Sequence, residues 1–295
     1  MSFTYGGTDA AIYRGMDRAA LDAAYNNSAA VFDSSERLAQ WSERSKAVRA
    51  SSGARLDLAY GPRPRNSLDY IAAGRGAPLF VFIHGGYWQR NSKEIFAFLA
   101  EGPGAHRINV AFVGYTLAPE ARLFSIVEEI AQALDFLSNR ADELAFDRDS
   151  VVIGGWSAGG HLAAVSLDHP LVRGGLSISG IFDLEPIALS YINEKLRLDA
   201  AEVSAFSPMR RLYERPNPFR LFFGGDELPE LQRQSIAFAD AAAAQGLPVR
   251  MSILPAHNHF SILDELGNPD GKITRELVSL VDETALRKRA TLVVR

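Results

Sequence analysis

The chain has 295 residues, no cysteine and a formal net charge of −4, with 47% apolar and 22% charged residues. That balance supports a large core and excludes wholesale disorder, a disulfide scaffold, a thiolate nucleophile and any cysteine-ligated metal. The mild acidity speaks against a nucleic-acid partner, and apolar runs such as 78–83 are far short of the ~20 residues needed to cross a bilayer. The first fifteen residues show no basic segment followed by an apolar one, so no secretory leader is expected. A soluble cytoplasmic protein acting on a small molecule follows, without membrane or nucleic-acid partners. A homodimer is left open as its assembly.

Residues 10–50 are rich in Ala, Arg, Glu and Ser with scattered aromatics, which predicts a helical arm (1–50) packed on a main domain (51–295). From residue 54 the period shortens. Arg55–Tyr60 and Leu68–Ala72 alternate like two antiparallel strands around a Gly-Pro break. A buried strand over Pro78–Ile83 ends in Gly85-Gly86, and Ser92 reads as the N-cap of a helix. Further strands are predicted at Asn109–Gly114, Val151–Ile153, Gly175–Ser179, Phe219–Phe223 and Pro248–Leu254. Helices are predicted at Leu123–Leu144, Ala158–Ser166, Pro229–Gln245 and Gly271–Leu286. Residues 184–216 break the rhythm and read as a cap of short helices. Strands alternating with helices imply an α/β fold, a mainly parallel sheet covered on both faces. Ligands then bind beyond the carboxyl ends of the strands.

Three motifs stand at those ends. Gly155-Trp156-Ser157-Ala158-Gly159 follows a strand and opens a helix, the setting of a nucleophile elbow. His84-Gly85-Gly86-Tyr87-Trp88 follows an earlier strand. Its glycines suit backbone N–H groups turned towards an oxyanion, with Gly85, Gly86 and Ala158 as the predicted donors. His84 reads as ordering its loop by a hydrogen bond. Gly224-Gly225-Asp226-Glu227 then brings a carboxylate to a strand end, and His257-Asn258-His259 brings two imidazoles, in the chain order of a serine, acid and histidine triad. Asp226 is preferred because it directly follows the glycine turn. His259 is preferred because it lies deeper in its loop.

Together these motifs resemble the kynurenine formamidase (arylformamidase) and carboxylesterase branch of the α/β-hydrolase superfamily, from about residue 10 onwards. His84–Trp88 carries the H-G-G-x-W pattern, and Tyr13-Arg14-Gly15-Met16 and Tyr25-Asn26-Asn27 look like the arm of this branch. Tyr115–Glu120 is similar to the Y-R-L-A-P-E stretch of hormone-sensitive-lipase-like esterases, with threonine in place of arginine. The resemblance supports His259, because the catalytic histidine of the branch is followed by phenylalanine, here Phe260. It departs at the elbow, where Trp156 replaces a common histidine. The resemblance implies an α/β-hydrolase fold and cleavage of a short-acyl amide or ester with an aromatic leaving group, of the N-formylkynurenine type.

The expected mechanism is acyl transfer through Ser157, His259 and Asp226, with no metal or organic cofactor. Tyr87, Trp88, Trp156, Tyr191 and Phe260 are the candidate substrate contacts, with core packing as their alternative reading. A carboxylesterase or a carbamate or amide hydrolase shares the same constellation. A metal site on His257-x-His259 lacks a third ligand at suitable spacing. A non-catalytic receptor on the same fold remains the reading from a different class.

Overall fold

The computed structural model describes residues 10–293, with side chains as far as Arg287. Residues 1–9, where the predicted arm begins and on which the leader expectation partly rests, lie outside the described residues.

Eight strands form one sheet in the order β1-β2-β4-β3-β5-β6-β7-β8. They are β1 (Ala54–Ala59), β2 (Ser67–Ile71), β3 (Ala77–Ile83), β4 (Asn109–Val113), β5 (Phe146–Trp156), β6 (Gly174–Ile178), β7 (Phe219–Gly224) and β8 (Val249–Leu254). The pairs β1–β2 and β2–β4 are antiparallel, and the rest of the sheet is parallel. Alternation sorts side chains to the two faces. Leu79, Val81 and Ile83 enter one apolar cluster, while Phe80 and Phe82 enter the other. Each face is covered by helices, so a continuous apolar strand such as β3 is buried on both sides. This is the α/β-hydrolase architecture.

The register sets the site. Ile83 lies opposite Gly155, Trp156 opposite Ile178, and Gly224 opposite Leu254. The loops that leave β3, β5, β7 and β8 therefore emerge along one edge.

The described part of the arm holds three helices: α1 (Arg18–Ala24), α2 (Asn27–Ala30) and α3 (Ser34–Arg49). Asp17 caps α1 through the N–H of Ala20, and Asn26 caps α2 through that of Ala29. Both act as side-chain acceptors for helix N–H groups that have no partner in the helix. The arm is tied to the sheet by polar bonds made in the interior. Arg49 Nε donates to Asp69 on β2 at 2.8 Å, and the buried Lys93 ammonium donates to the same carboxylate at 2.7 Å. The Tyr25 hydroxyl accepts from Gln234 at 2.7 Å.

Two predicted helices are shorter than their patterns. Ser92 makes no side-chain cap bond, and Lys93–Ala100 winds as a 3₁₀ helix before a brief α-turn over Glu101–Ala105. That turn contains Gly102, Pro103 and Gly104, which are poor residues for extending a helix. Helix α4 (Leu123–Asn139) stops before Arg140, and a separate turn covers Ala141–Leu144. Helix α5 (Ala158–Val165) follows β5. Residues 184–216 hold α6 (Glu185–Ala188), α7 (Asn193–Leu196) and α8 (Ala200–Phe206). Helix α9 (Pro229–Ala244) follows β7, and α10 (Lys272–Val293) lies beyond β8. No described helix is long and apolar enough to cross a membrane.

Candidate active site

Ser157 stands between β5 and α5 with φ 57° and ψ −119°, outside the regions that non-glycine residues favour. Strain of this kind persists where the surroundings fix it, and functional sites are where it gathers. The flanking glycines allow the turn. A methyl group on Gly155 would stand 2.3 Å from the Gly159 carbonyl, and one on Gly159 would stand 1.9 Å from the carbonyl oxygen of Ile83. No side chain fits either place.

A cleft of about 80 Å³ opens over this serine, and Ser157, His259, Gly86, Tyr87, Trp156 and Phe260 are among the residues that line it. His259 is buried, and its Nδ1 meets Glu227 Oε2 at 3.0 Å. The other oxygen of Glu227 accepts from Ser179 Oγ at 2.5 Å and from the Gly224 N–H at 2.6 Å. A buried carboxylate needs such partners, and this one has a donor set on each oxygen.

The carboxylate against His259 is therefore Glu227, not Asp226, which corrects the sequence expectation. The chain turns at Gly224-Gly225, with the Glu227 N–H donating back to the Gly224 carbonyl at 3.3 Å. The turn leaves Asp226 exposed and returns Glu227 to the interior at the strand end. The Asp226 N–H donates to the His257 carbonyl at 3.0 Å. Asp226 thus contributes its backbone, which pins the two loops together. The sequence holds one signal for this: the residue that completes a four-residue turn comes back over the strand, and the residue after the glycines does not. The other imidazole, His257, faces Glu265 at 3.4 Å. Among the described residues, no three His, Asp or Glu side chains gather as metal ligands would.

The loop after β3 is held from behind. His84 is buried, stacked on Tyr115 with ring centroids 4.4 Å apart, and its Nδ1 lies 2.9 Å from the Gly85 carbonyl. A carbonyl can only accept, so Nδ1 carries the proton. Burial lowers the His84 pKa to about 4. Asn91 Nδ2 donates to the same carbonyl at 3.1 Å. In a trans amide, N–H and C=O point in opposite directions. Anchoring the Gly85 carbonyl therefore also fixes the orientation of the Gly86 N–H, in a loop where Gly86 borders the cleft. The next peptide is held as well, because the Gly86 carbonyl accepts from the N–H groups of Gln89 and Arg90, each at 3.0 Å. Gly86 and Tyr87 line the cleft, whereas Gly85 is buried behind it. A methyl on Gly85 would stand 2.6 Å from the Trp156 carbonyl. Ala158, the first residue of α5, has an amide with no intrahelical acceptor.

The five aromatic candidates separate. Tyr87, Trp156 and Phe260 line the cleft, whereas Trp88 and Tyr191 do not. Trp88 is fully buried, edge-on to His161 at 5.0 Å, and belongs to the core. Tyr191 is half-buried in the cap, with its N–H held by Asp22 at 2.8 Å. Trp156 backs the histidine loop, since its indole N–H donates to the His259 carbonyl at 2.8 Å. Trp41 of α3 packs edge-on to Trp156 at 6.0 Å. The arm also reaches the cleft directly, through Asn27, Ser28 and Leu38. Asn27 donates to the Tyr87 hydroxyl at 2.9 Å, and that hydroxyl donates to the Tyr25 carbonyl at 2.6 Å. Sequence periodicity gave no hint that the arm supplies a wall.

Comparison with known proteins shows the family and the fold. The prolyl oligopeptidase family matches residues 125–277, just over half the chain and including Ser157, Glu227 and His259. The chain belongs to this family. A second family, BD-FAE, matches residues 70–167 of this α/β-hydrolase. Kynurenine formamidase of Danio rerio is 27% identical over 245 residues, covering 78% of this chain and 82% of that protein. A solved structure of a proposed thioesterase from a Silicibacter species is 30% identical, with a TM-score of 0.80, covering 88% of the hydrolase and 98% of that chain. Esterase B of Lactobacillus rhamnosis shares the fold at 19% identity and a TM-score of 0.70, covering 87% and 98% of the two chains.

Proposed function

We propose that this hydrolase cleaves a short-acyl amide or ester with an aromatic leaving group, in the manner of an arylformamidase, through an acyl-serine. The observation that carries the reading is the pairing of buried His259 with the buried carboxylate of Glu227, in a cleft shared with the strained Ser157. His259 takes the proton of Ser157 as the oxygen attacks the substrate carbonyl. Glu227 holds the Nδ1 tautomer and stabilises the imidazolium that forms. The N–H groups of Gly86, Tyr87 and Ala158 receive the oxyanion. His259 then protonates the leaving amine or alcohol, and water releases the acid. Catalysis by these residues needs no metal or organic cofactor.

The small cleft supports a short acyl group. A cavity of roughly 150 Å³ is what a benzene-sized guest occupies, so an aromatic leaving group must extend out of the enclosed part. The resemblance to kynurenine formamidases supports the formyl amide. The thioesterase and esterase names of the structural neighbours favour a second reading, a carboxylesterase of broader acyl range.

A series of formyl, acetyl and butyryl amides and esters of one aromatic leaving group separates the two. The formamidase reading expects kcat/KM to fall steeply from formyl to butyryl. Equal or better rates on butyryl esters would establish the carboxylesterase instead. Loss of turnover in Ser157→Ala assigns the activity to this site, and retained turnover would remove Ser157 from the mechanism.

A further inference from the structure

Arg90 lines the same cleft as Ser157 and His259, and it is exposed at the mouth. Among the described residues, no carboxylate, carbonyl or ring is paired with its guanidinium. Other arginines of the chain differ. Arg18 pairs with Asp22 at 3.0 Å, Arg37 with Asp33 at 2.8 Å, and Arg233 with Glu230 at 2.8 Å. Arg65 donates to the carbonyls of Tyr115 and Asn91. No Asp or Glu lines the cleft, so no carboxylate of its wall competes for the Arg90 charge.

We infer that Arg90 recognises a carboxylate carried by the aromatic leaving group, so that the substrate is an anionic acyl-arylamine or acyl-aryl ester. The inference rests on the hydrolase reading above and deepens it. Three considerations support it. The backbone of Arg90 is fixed to the loop that presents the Gly86 and Tyr87 amides, because its N–H donates to the Gly86 carbonyl at 3.0 Å. The root of the Arg90 side chain is thereby held in place beside the loop that lines the cleft. An enclosed volume of about 80 Å³ has room for a short acyl group but not for an aromatic leaving group as well, and Arg90 is the arginine among the residues that line it. Finally, the planar guanidinium fork matches a carboxylate, and one cation in the wall balances one negative charge. The Arg90 charge also acts on the hydroxyls of Tyr87 and Tyr191, opposing the rise that burial imposes on both.

Binding to Ser157→Ala, which needs no turnover, tests the inference apart from the proposed reaction. The probes are the ortho, meta and para acetamidobenzoates and their uncharged carboxamides, titrated by calorimetry. At least one acid is expected to bind about tenfold or more tighter than its amide, the range of a charged hydrogen bond. That preference should disappear in Ser157→Ala/Arg90→Met and largely survive in Ser157→Ala/Arg90→Lys. Added salt should weaken it in the parent, since the contact lies at the surface. Equal binding of acid and amide at all three positions, or a preference that persists without Arg90, overturns the assignment. Failure of the acyl series with intact Ser157 would instead count against the hydrolase reading and leave this titration to be judged on its own result.

Discussion

Two loops at the same edge of the sheet each bury a histidine, and they use it in opposite ways. After β3, His84 gives its Nδ1 proton to a peptide carbonyl and stacks on Tyr115. After β8, His259 places its Nδ1 against the carboxylate of Glu227. Both rings are nearly inaccessible. A carbonyl dipole offsets little of the cost of a buried cation, and His84 stays neutral, its pKa lowered to about 4 by burial. A carboxylate can stabilise an imidazolium, which is what a general base becomes. On the proposed mechanism, what stands behind the ring, more than its burial, decides whether a histidine positions a loop or moves a proton.

The largest effect is expected from making the second loop resemble the first. Glu227→Gln keeps the shape and removes the charge, leaving an amide behind His259. Turnover should fall by roughly 10⁴-fold, the scale seen when the triad acid becomes its amide. Asp226→Asn changes an exposed side chain and should leave turnover within about twofold, as exposed substitutions usually do. Steady-state kinetics on both variants decides the choice of acid. Equal losses, or a loss confined to Asp226→Asn, would restore the sequence-based assignment.

A smaller effect is expected where the first loop loses its anchor. Asn91 has φ 71°, a conformation that aspartate tolerates. Asn91→Asp replaces the donor to the Gly85 carbonyl with a repelling oxygen and frees the peptide to rotate. If that peptide aims the Gly86 amide, kcat should fall by about 10²–10³-fold, the value of one oxyanion donor, with KM little changed. A rise in KM with kcat intact would mean that Asn91 shapes binding and has no part in aiming the amide.

The contrast also marks what the sequence could disclose. Strand–loop–helix order and glycine spacing located Ser157, the loop after β3 and the histidine loop, because those features are local. The choice between Asp226 and Glu227 was not local. It depends on how a turn closes and on Ser179, distant in the chain, which donates to Glu227. Trp88 looked like a pocket residue beside the glycines. Its left-handed backbone, φ 58°, accompanies a side chain that enters the core. Arg90 follows the motif by two residues and carries no pattern of its own. The arm's contribution of Asn27 and Leu38 depends on docking, since Tyr25, Trp41 and Arg49 find partners on α9, β5 and β2. Tertiary placement of this kind has no periodicity to read.

The mildest test concerns stability, and it isolates the neutral histidines. His84 and His161 are both buried, and burial lowers each pKa to about 4. His161 donates from Nε2 to the Phe206 carbonyl at 2.8 Å, again a dipole and not a charge. In the unfolded chain each imidazole titrates near its usual value of about 6.5. Between pH 6.5 and 4 the unfolded state therefore binds more protons than the folded one. Stability is full above the unfolded value, falls as pH drops through this window, and loses no more to these groups below about 4. Each ring accounts for about 3 kcal/mol at the lower end, as an order of magnitude. Glu94, whose pKa is lowered to about 2 by hydrogen bonds from Ser92 and Lys93 against the opposing effect of burial, loses its contribution only from about 4.5 downward, so the upper part of the window belongs to the histidines. Urea melts at pH 7, 6 and 5 should show a declining midpoint. In His161→Gln, which keeps a donor and cannot charge, the decline should be shallower even if the variant is less stable at pH 7. An unchanged slope would mean that protonated His161 finds a partner in the folded state, and that the division between positioning and proton-moving imidazoles is not set by the acceptor alone.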